Sequence, residues 1–413
     1  MIEYLRFLMG NKRLISFGFF MTFFSSFGQT FLISLYVPHL IKEFNLNNSS
    51  FGFLYSAATI CSSIALIYLG KYIDHKSLRS YTLASAALLI FSCLLTAFSM
   101  NIIFIFAGLL GLRLSGQGLF SHISKTSISK KFSKARGKAL SLSVLGYSFG
   151  EGIFPFVISS LIAILGWRGS MALSSVFIAL FLIPFVFFAL NKNEFKARPR
   201  LNSDRKEKNN FSRKELFREQ GFYILALNTV ILPALITGLF FYQMTLAAEK
   251  GWVQGWLPAC FLAYAAGRTI FSLLSGKLID KFTAAKLLPL YLIPFLIGLL
   301  ALVFASHPLV APFYLALTGI SMGLGSTIKS AIAAEAYGTR NLGSIMSLLA
   351  MFMVFGTAVT PVLFGFLLDR GFNFSFIAAI SAIIVSLTAF LSYQAAQSYN
   401  FHSSEETLKP ASM

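Results

Sequence analysis

A chain of 413 residues in which 56% are hydrophobic and only 12% are charged cannot clothe a water-facing surface, since soluble domains carry about 25% charged residues. The formal net charge of +19 would suit a nucleic-acid binder, but the basic residues sit in short loops between long apolar runs. Composition and placement together exclude a soluble enzyme or a nucleic-acid partner and point to a lipid bilayer.

In chain order, Met1–Arg13 is a basic start, and the apolar run that follows, 14–37, is long enough to remain as a membrane span rather than a cleaved leader. Eleven further runs follow, at 50–70, 80–100, 102–123, 139–163, 170–190, 220–244, 256–275, 287–304, 309–328, 344–367 and 374–396. Each is continuously apolar and close to the roughly 20 residues a spanning helix needs, and none alternates as a barrel strand would. The fold class expected is an all-α membrane protein of twelve transmembrane helices.

With the N-terminus placed inside, 28 of the 34 Lys and Arg residues fall in inner segments, and only Lys42, Arg168, Lys250 and Arg370 in outer loops. That asymmetry predicts a multi-pass cell-membrane protein of the bacterial inner-membrane type with both termini cytoplasmic. The longest polar stretch, 191–219, separates an N-terminal six-helix bundle, 1–190, from a C-terminal bundle with a short cytoplasmic tail, 220–413. Its end reads as a short lead-in helix with Ser212 and Glu215 spaced as a capping box, and its basic residues either lie against anionic lipid or form a solvated linker. Cys61, Cys93 and Cys260 lie inside apolar runs without paired or metal-ligand spacing and read as buried packing residues.

The halves carry a repeat. Gly70-Lys-Tyr-Ile-Asp74 follows the second run and Gly276-Lys-Leu-Ile-Asp280 the eighth, offset by 206 residues, and Pro155 and Pro361 share that offset. Two repeats so related imply parallel six-helix units with a central site between them. The loop Gly70 to Arg79 resembles the signature of the major facilitator superfamily; Gly70, Asp74 and Arg79 match it, while His75, Ser77 and Leu78 depart. The second copy keeps Gly276, Asp280 and Lys281. Arg113-Leu-Ser-Gly116-Gln117-Gly118, Gly146 through Pro155, and Ala336 through Gly343 are similar to further motifs of that family. The resemblance implies a major facilitator fold of two pseudo-symmetric bundles and a secondary transporter working by rocker-switch alternating access, either symport or antiport. It also implies that Asp74 contacts span eleven and Asp280 span five, latching the cytoplasmic side in the outward-open state. Without it, these loops are plain turns whose charges fix topology.

Three charges reach the middle of the membrane: Arg113, Glu151 and Arg268, each roughly 16–18 Å from a span end at 1.5 Å per residue. A charge there costs about 2.5–3.5 kcal/mol even on the mildest insertion scale, so function is the first hypothesis. Gln117, Tyr147, Tyr264 and Ser272 stand four residues from one or another of them, giving polar stripes on spans four, five and eight. Arg113 and Glu151 lie at matching depth on neighbouring antiparallel spans, where they either form a stabilising ion pair or leave Glu151 as a proton-coupling group. Arg268 has no carboxylate in its own half, so it either binds a substrate anion through its planar fork or pairs with Glu151 across the cavity.

Gln29 and Asn228 are weaker candidates for solute binding, and His122 is interfacial. Gly146, Gly150, Gly152 and Gly356 favour close packing and bending. No phosphate-binding loop, paired-Cys or His-Glu-x-x-His pattern occurs, so no cofactor or metal is expected, and an ion or solute gradient supplies the energy. The leading reading is a monomeric porter for a small organic anion, coupled to protons or a counter-solute. The alternative is an exporter of amphipathic drugs or metabolites, which the 46 Phe residues permit. A receptor would need a signalling domain and a membrane hydrolase a nucleophile–base pair at depth; neither pattern is present.

Overall fold

The computed structural model describes residues 7, 9–132, 135–191, 219–337 and 342–398, and these are almost wholly helical. The expected lead-in helix at Ser212, the linker charges, the tail after 398 and the centre of the motif at 338–341 lie outside the described residues. Helices are the natural solution for these runs, because in lipid every backbone N–H and C=O must be satisfied within its own segment. Asparagine and serine caps mark several starts. Asn47 accepts from Ser50 N, Ser77 from Ser80 N, and Asn101 from Ile103 N and Phe104 N.

The first span begins as α1 (Lys12–Phe24). Then come α2 (Asn48–Leu69), α3 (Leu78–Ala97) and α4 (Ile102–Lys131). One 54-residue helix, Arg136–Ala189, holds two spans, because Gly166 turns the chain at φ 69° and divides it into α5 (136–165) and α6 (167–189). The second half runs α7 (Gln220–Phe241), α8 (Trp256–Phe282), α9 (Ala284–Phe304), α10 (Val310–Tyr337), α11 (Leu342–Asp369) and α12 (Phe374–Ser398). The loops after α2, α4, α6, α8 and α10 share the side richest in Lys and Arg, termed the basic face; the opposite side is the far face.

Two expectations are corrected. The run 14–37 is not one straight helix. After Phe24 it tightens into a 3-10 turn, Ser25–Gly28, and opens at Gln29 (φ −88°, ψ 151°) before resuming as Thr30–Ile33. The cause is a close crossing with α4, whose stretch Arg113–Phe120 is wound as a wider π-helix. A Cβ on Gly116 would come within 2.5 Å of Gly28 N and 2.7 Å of its Cα, so two glycines let the backbones meet. Cys93 and Cys260 are buried as expected, but Cys61 is exposed on α2.

The repeat extends beyond the matching letters. On the far face Glu43 accepts from Trp167 Nε1 (2.7 Å) and from Arg168 Nε and Nη2 (3.1 and 2.5 Å). Glu249, 206 residues later, accepts from Phe374 N (2.9 and 2.7 Å), and Phe374 stands 206 residues after Arg168. The carboxylate thus anchors the corresponding loop in each bundle. Two of the four far-face cations also have structural duties. Arg168 donates to Ala97 O (2.6 Å) and Ser99 O (2.8 Å) at the end of α3, and Lys250 to Leu302 O (2.6 Å) at the end of α9. A cation at a helix C-terminus meets otherwise orphaned carbonyls and the negative end of the dipole.

Candidate functional site

The two bundles touch along three seams, all on the far side of the midplane. At the first, Gln243 Nε2 donates to Phe31 O (2.9 Å) and Ser34 Oγ (2.6 Å), joining the α7 end to the first span. At the second, α2 meets α11: Asn48 N and Ser49 N donate to Asp369 (2.9 and 2.8 Å), and Ser56 Oγ donates to Ala358 O. Phe51 and Tyr55 pack against Phe241 with ring centroids 5.8 and 4.5 Å apart. At the third, α5 meets α8 through Gly152, whose absent side chain leaves room for Leu262 and Ala265. The deepest contact of this seam is the ion pair of Glu151 with Arg268. No hydrogen bond or ring contact between described residues joins the bundles on the basic side of that pair. Among the described residues, the bundles are closed at the far face and parted towards the basic face.

Glycines set the height of both partners. Gly146 and Gly150 of α5 lie against the backbone of the first span at Phe19 and Phe23. On α10, Gly319 and Gly323 receive the α8 backbone, with the Arg268 N and Ser272 N positions 3.0 and 2.9 Å from their would-be Cβ atoms. Each helix is therefore pressed against a small-residue face, and its charged side chain is aimed across the seam. The Glu151 side chain is 8% exposed and Arg268 25%. Glu151 Oε2 is buried with no protein partner. Tyr264, itself buried against Phe240 (5.3 Å), and Tyr147 stand within electrostatic reach of the Arg268 guanidinium. Tyr147 OH donates to Ser121 Oγ (2.6 Å), tying α5 to α4.

Arg113 does not pair with Glu151. It is 3% exposed and donates to Thr59 Oγ1 (3.1 Å) and Gly28 O (3.1 Å), with Thr30 Oγ1 at 3.5 Å and the Tyr55 ring centroid at 5.0 Å. The break in the first span turns the Gly28 carbonyl towards it, and a cation at this depth takes whatever acceptors packing offers. Tyr55 OH shares a hydrogen bond with Thr30 Oγ1 (2.7 Å), closing the ring of neutral ligands. Gln117 is half-buried in the π-helical segment, and Gln29 Nε2 donates to Ser25 Oγ (3.3 Å) within the first span.

Asn228 is corrected as a solute ligand. It is fully buried inside the C-terminal bundle, its side chain donates to Ser392 Oγ of α12 (2.7 Å) and Ile224 O, and its backbone carbonyl accepts from Tyr291 OH (2.9 Å). Its work is to join α7, α9 and α12.

The loop-motif residues lie on the parted face. Asp74 meets Lys130 at the end of α4 (2.5 Å), and Arg79 stacks over Phe187 of α6 at 4.0 Å. Gly70 O meets His122 Nε2 at 3.1 Å. Among the described residues, the partner of Asp74 is therefore Lys130 of its own bundle. In the second copy Gly276, Asp280 and Lys281 are exposed, and Asp280 has no hydrogen-bond or ion-pair partner among the described residues. The start of span eleven, where the resemblance places the partner of Asp74, lies partly outside the described residues.

Sequence reading missed Thr30, Tyr55 and Thr59 around Arg113, and the far-face residues Asp369, Tyr242 and Gln243. Asp369 and Gln243 carry no motif, and a threonine in a membrane helix commonly bonds its own preceding turn, as Thr59 also does with Tyr55 O.

Twelve membrane-crossing helices in two repeated bundles, closed at one end over a midplane ion pair, define the architecture of a membrane carrier. The sequence matches the family model of the Major Facilitator Superfamily over residues 18–268 and 253–412, and the chain belongs to that family. Among solved structures it superposes on a bacterial homologue of the human lysosomal transporter Spinster, in an inward-facing and occupied conformation. The TM-score is 0.74 at 13% identity, over 94% of this chain and 97% of that one. The nucleoside transporter NupG gives 0.74 at 13% identity over 94% and 99%. A D-xylose–proton symporter gives 0.71 at 16% identity over 92% and 97%. These likenesses define the fold. No curated protein matches the sequence.

Proposed function

We propose that this chain is a secondary transporter for a small organic anion, loaded between the bundles and exchanged through the Glu151–Arg268 pair. The carrying observation is that this is the only ion pair between described residues that joins the bundles, and it lies at the inner limit of the closed seam. Arg268 is partly exposed while Glu151 is enclosed, so the guanidinium is the partner an arriving carboxylate reaches first. A bidentate anion on Arg268 releases Glu151, and an enclosed carboxylate that has lost its cation is stabilised by taking a proton. Binding of anion and proton are then coupled without any further group. Arg113 on the facing bundle, held only by neutral ligands, adds a second positive field at the same depth.

The parted basic face is read as the cytoplasmic one, from the distribution of Lys and Arg. The resemblance to an inward-facing homologue supports that sense. The Tyr and Phe residues along the closed seam give the solute an apolar ceiling, so an anion with a modest hydrocarbon body suits the space.

The test is counterflow of labelled anions in proteoliposomes, with a panel of carboxylates set against neutral and cationic amphiphiles. The reading expects a carboxylate to be carried, Arg268→Lys to lose at least tenfold in rate through loss of the planar fork, and Glu151→Gln to lose pH dependence. Carriage of cationic amphiphiles that survives Arg268→Lys would replace it with the drug-exporter reading. A Glu151→Gln variant with unchanged pH dependence would remove the proton step.

A further inference from the structure

The far-face seal contains a contact that belongs to no recognised motif. α2 starts at Asn48, and its first N–H groups have no acceptor within the helix. Asn47 Oδ1 takes Ser50 N at 2.7 Å. The two donors before it go to the other bundle, where Asp369 Oδ1 accepts Asn48 N (2.9 Å) and Oδ2 accepts Ser49 N (2.8 Å). Asn48 Nδ2 adds a third bond to Asp369 Oδ1 at 2.9 Å. A carboxylate at the last residue of α11 thus completes the N-terminus of α2, where the dipole favours negative charge.

The surroundings make this contact possible only when the far face is shut. The Tyr242 hydroxyl lies 2.7 Å from Asn48 O and 2.8 Å from Pro361 O, sharing its hydrogen between the two helices. A Cβ on Gly52 would fall 2.5 Å from Pro361 O, and one on Gly365 2.7 Å from Asn48 C and O. The neighbouring cation, Arg370, stacks over Phe366 at 4.6 Å rather than on Asp369. Opening the far face must part α2 from α11, which strips α2 of two acceptors at once.

We propose that Asp369 and the N-terminus of α2 form a far-face latch that holds the bundles together at this end and biases the empty carrier towards the basic-face-open state. The latch is a conformational device and does not depend on which solute is carried.

The test uses the full chain in lipid nanodiscs without solute and reads hydrogen–deuterium exchange by mass spectrometry. Two variants act on opposite sides of the contact. Asp369→Asn removes the charge, and Asn48→Pro removes the N1 donor while keeping a residue well suited to a helix start. Both are expected to raise exchange roughly fivefold across the whole far seam, at 31–36, 48–56 and 358–369, and to lower it at 273–282 on the basic face. Arg370→Gln, which changes charge next door without touching α2, is expected to leave the pattern unchanged. A rise confined to the remaining amides of the first turn of α2 in both variants would show a local cap with no hold on the bundles and would overturn the latch. So would an unaltered far seam in Asn48→Pro, the variant that leaves Asp369 intact.

Discussion

The two faces of the molecule are built from similar materials and behave differently. At the far face, polar side chains reach across to the other bundle: Gln243 to Phe31 and Ser34, Asp369 to Asn48 and Ser49, Ser56 to Ala358. At the basic face, the contacts between described residues stay within one bundle, Asp74 with Lys130 and Arg79 over Phe187. Both solutions satisfy charge and hydrogen bonding locally, so a carrier of this kind can exchange one for the other at little net cost. The closed end is defined by which acceptors lie across the seam, and less by how many polar residues are present.

The sharpest way to break this difference is to stop α2 and α11 from meeting. Gly365→Val places a branched side chain where only 2.7 Å separates the Cβ from the Asn48 backbone. Overpacking of this kind costs about 1–3 kcal/mol, and parting the helices relieves it. The expected result is a carrier trapped with the far face open, with transport down at least tenfold while the protein still inserts. Distance measurement between spin labels at Met100 and Phe304, both exposed at far-face ends, checks it; an unchanged distance distribution contradicts it.

A smaller effect is expected around Arg113. Thr59→Val keeps the shape of the side chain but removes the acceptor of Arg113 Nε. Leaving a donor of a buried cation unpaired costs about 1–3 kcal/mol, so thermal stability should fall and transport slow several-fold. If Thr59→Val melts with the wild type, the neutral ring does not hold the guanidinium.

The costs of these groups explain what sequence reading could reach. Arg113, Glu151 and Arg268 stand out in any apolar run because lipid penalises charge, and the twelve runs and the Gly-Lys-x-Ile-Asp repeat are equally plain. The pairing of Arg268 with Glu151 was readable only as one of two alternatives, and the capture of Arg113 by neutral ligands was not readable at all. Glu151 and Arg268 are 117 positions apart, and the break in the first span that captures Arg113 depends on Gly28 meeting Gly116. Neutral residues such as Thr30, Gln243 and Asn228 were harder still. Each has several bland uses in a membrane helix, and only packing tells a seam residue from one that binds α7 to α12.

Asn228→Ala tests that last distinction. Loss of its bond to Ser392 should lower stability by about 1 kcal/mol and leave the transport KM unchanged. A KM raised tenfold with unaltered melting would return Asn228 to the solute path.

The smallest expected effect is a pH dependence at the far-face loops. Hydrogen bonding to Arg168 holds the Glu43 carboxyl below its usual value of 4.5. A depressed pKa stabilises the fold above that value, and the contribution disappears as pH falls through the folded-state pKa. Glu43→Gln should therefore melt slightly lower than the wild type at pH 7, and the gap should close as pH falls below 4.5. The clamp is partly exposed, so the difference should also shrink at high salt.

The central claim is that one ion pair at mid-depth joins the two bundles, and reversing its charges tests this most directly. Glu151→Arg and Arg268→Glu are each made alone and together, and thermal stability is measured in the same lipid. The account predicts that either single change lowers the melting temperature sharply, by placing two like charges at the seam, and that the double change recovers most of the loss. Losses that simply add in the double variant would show that the two groups do not depend on each other and would contradict it.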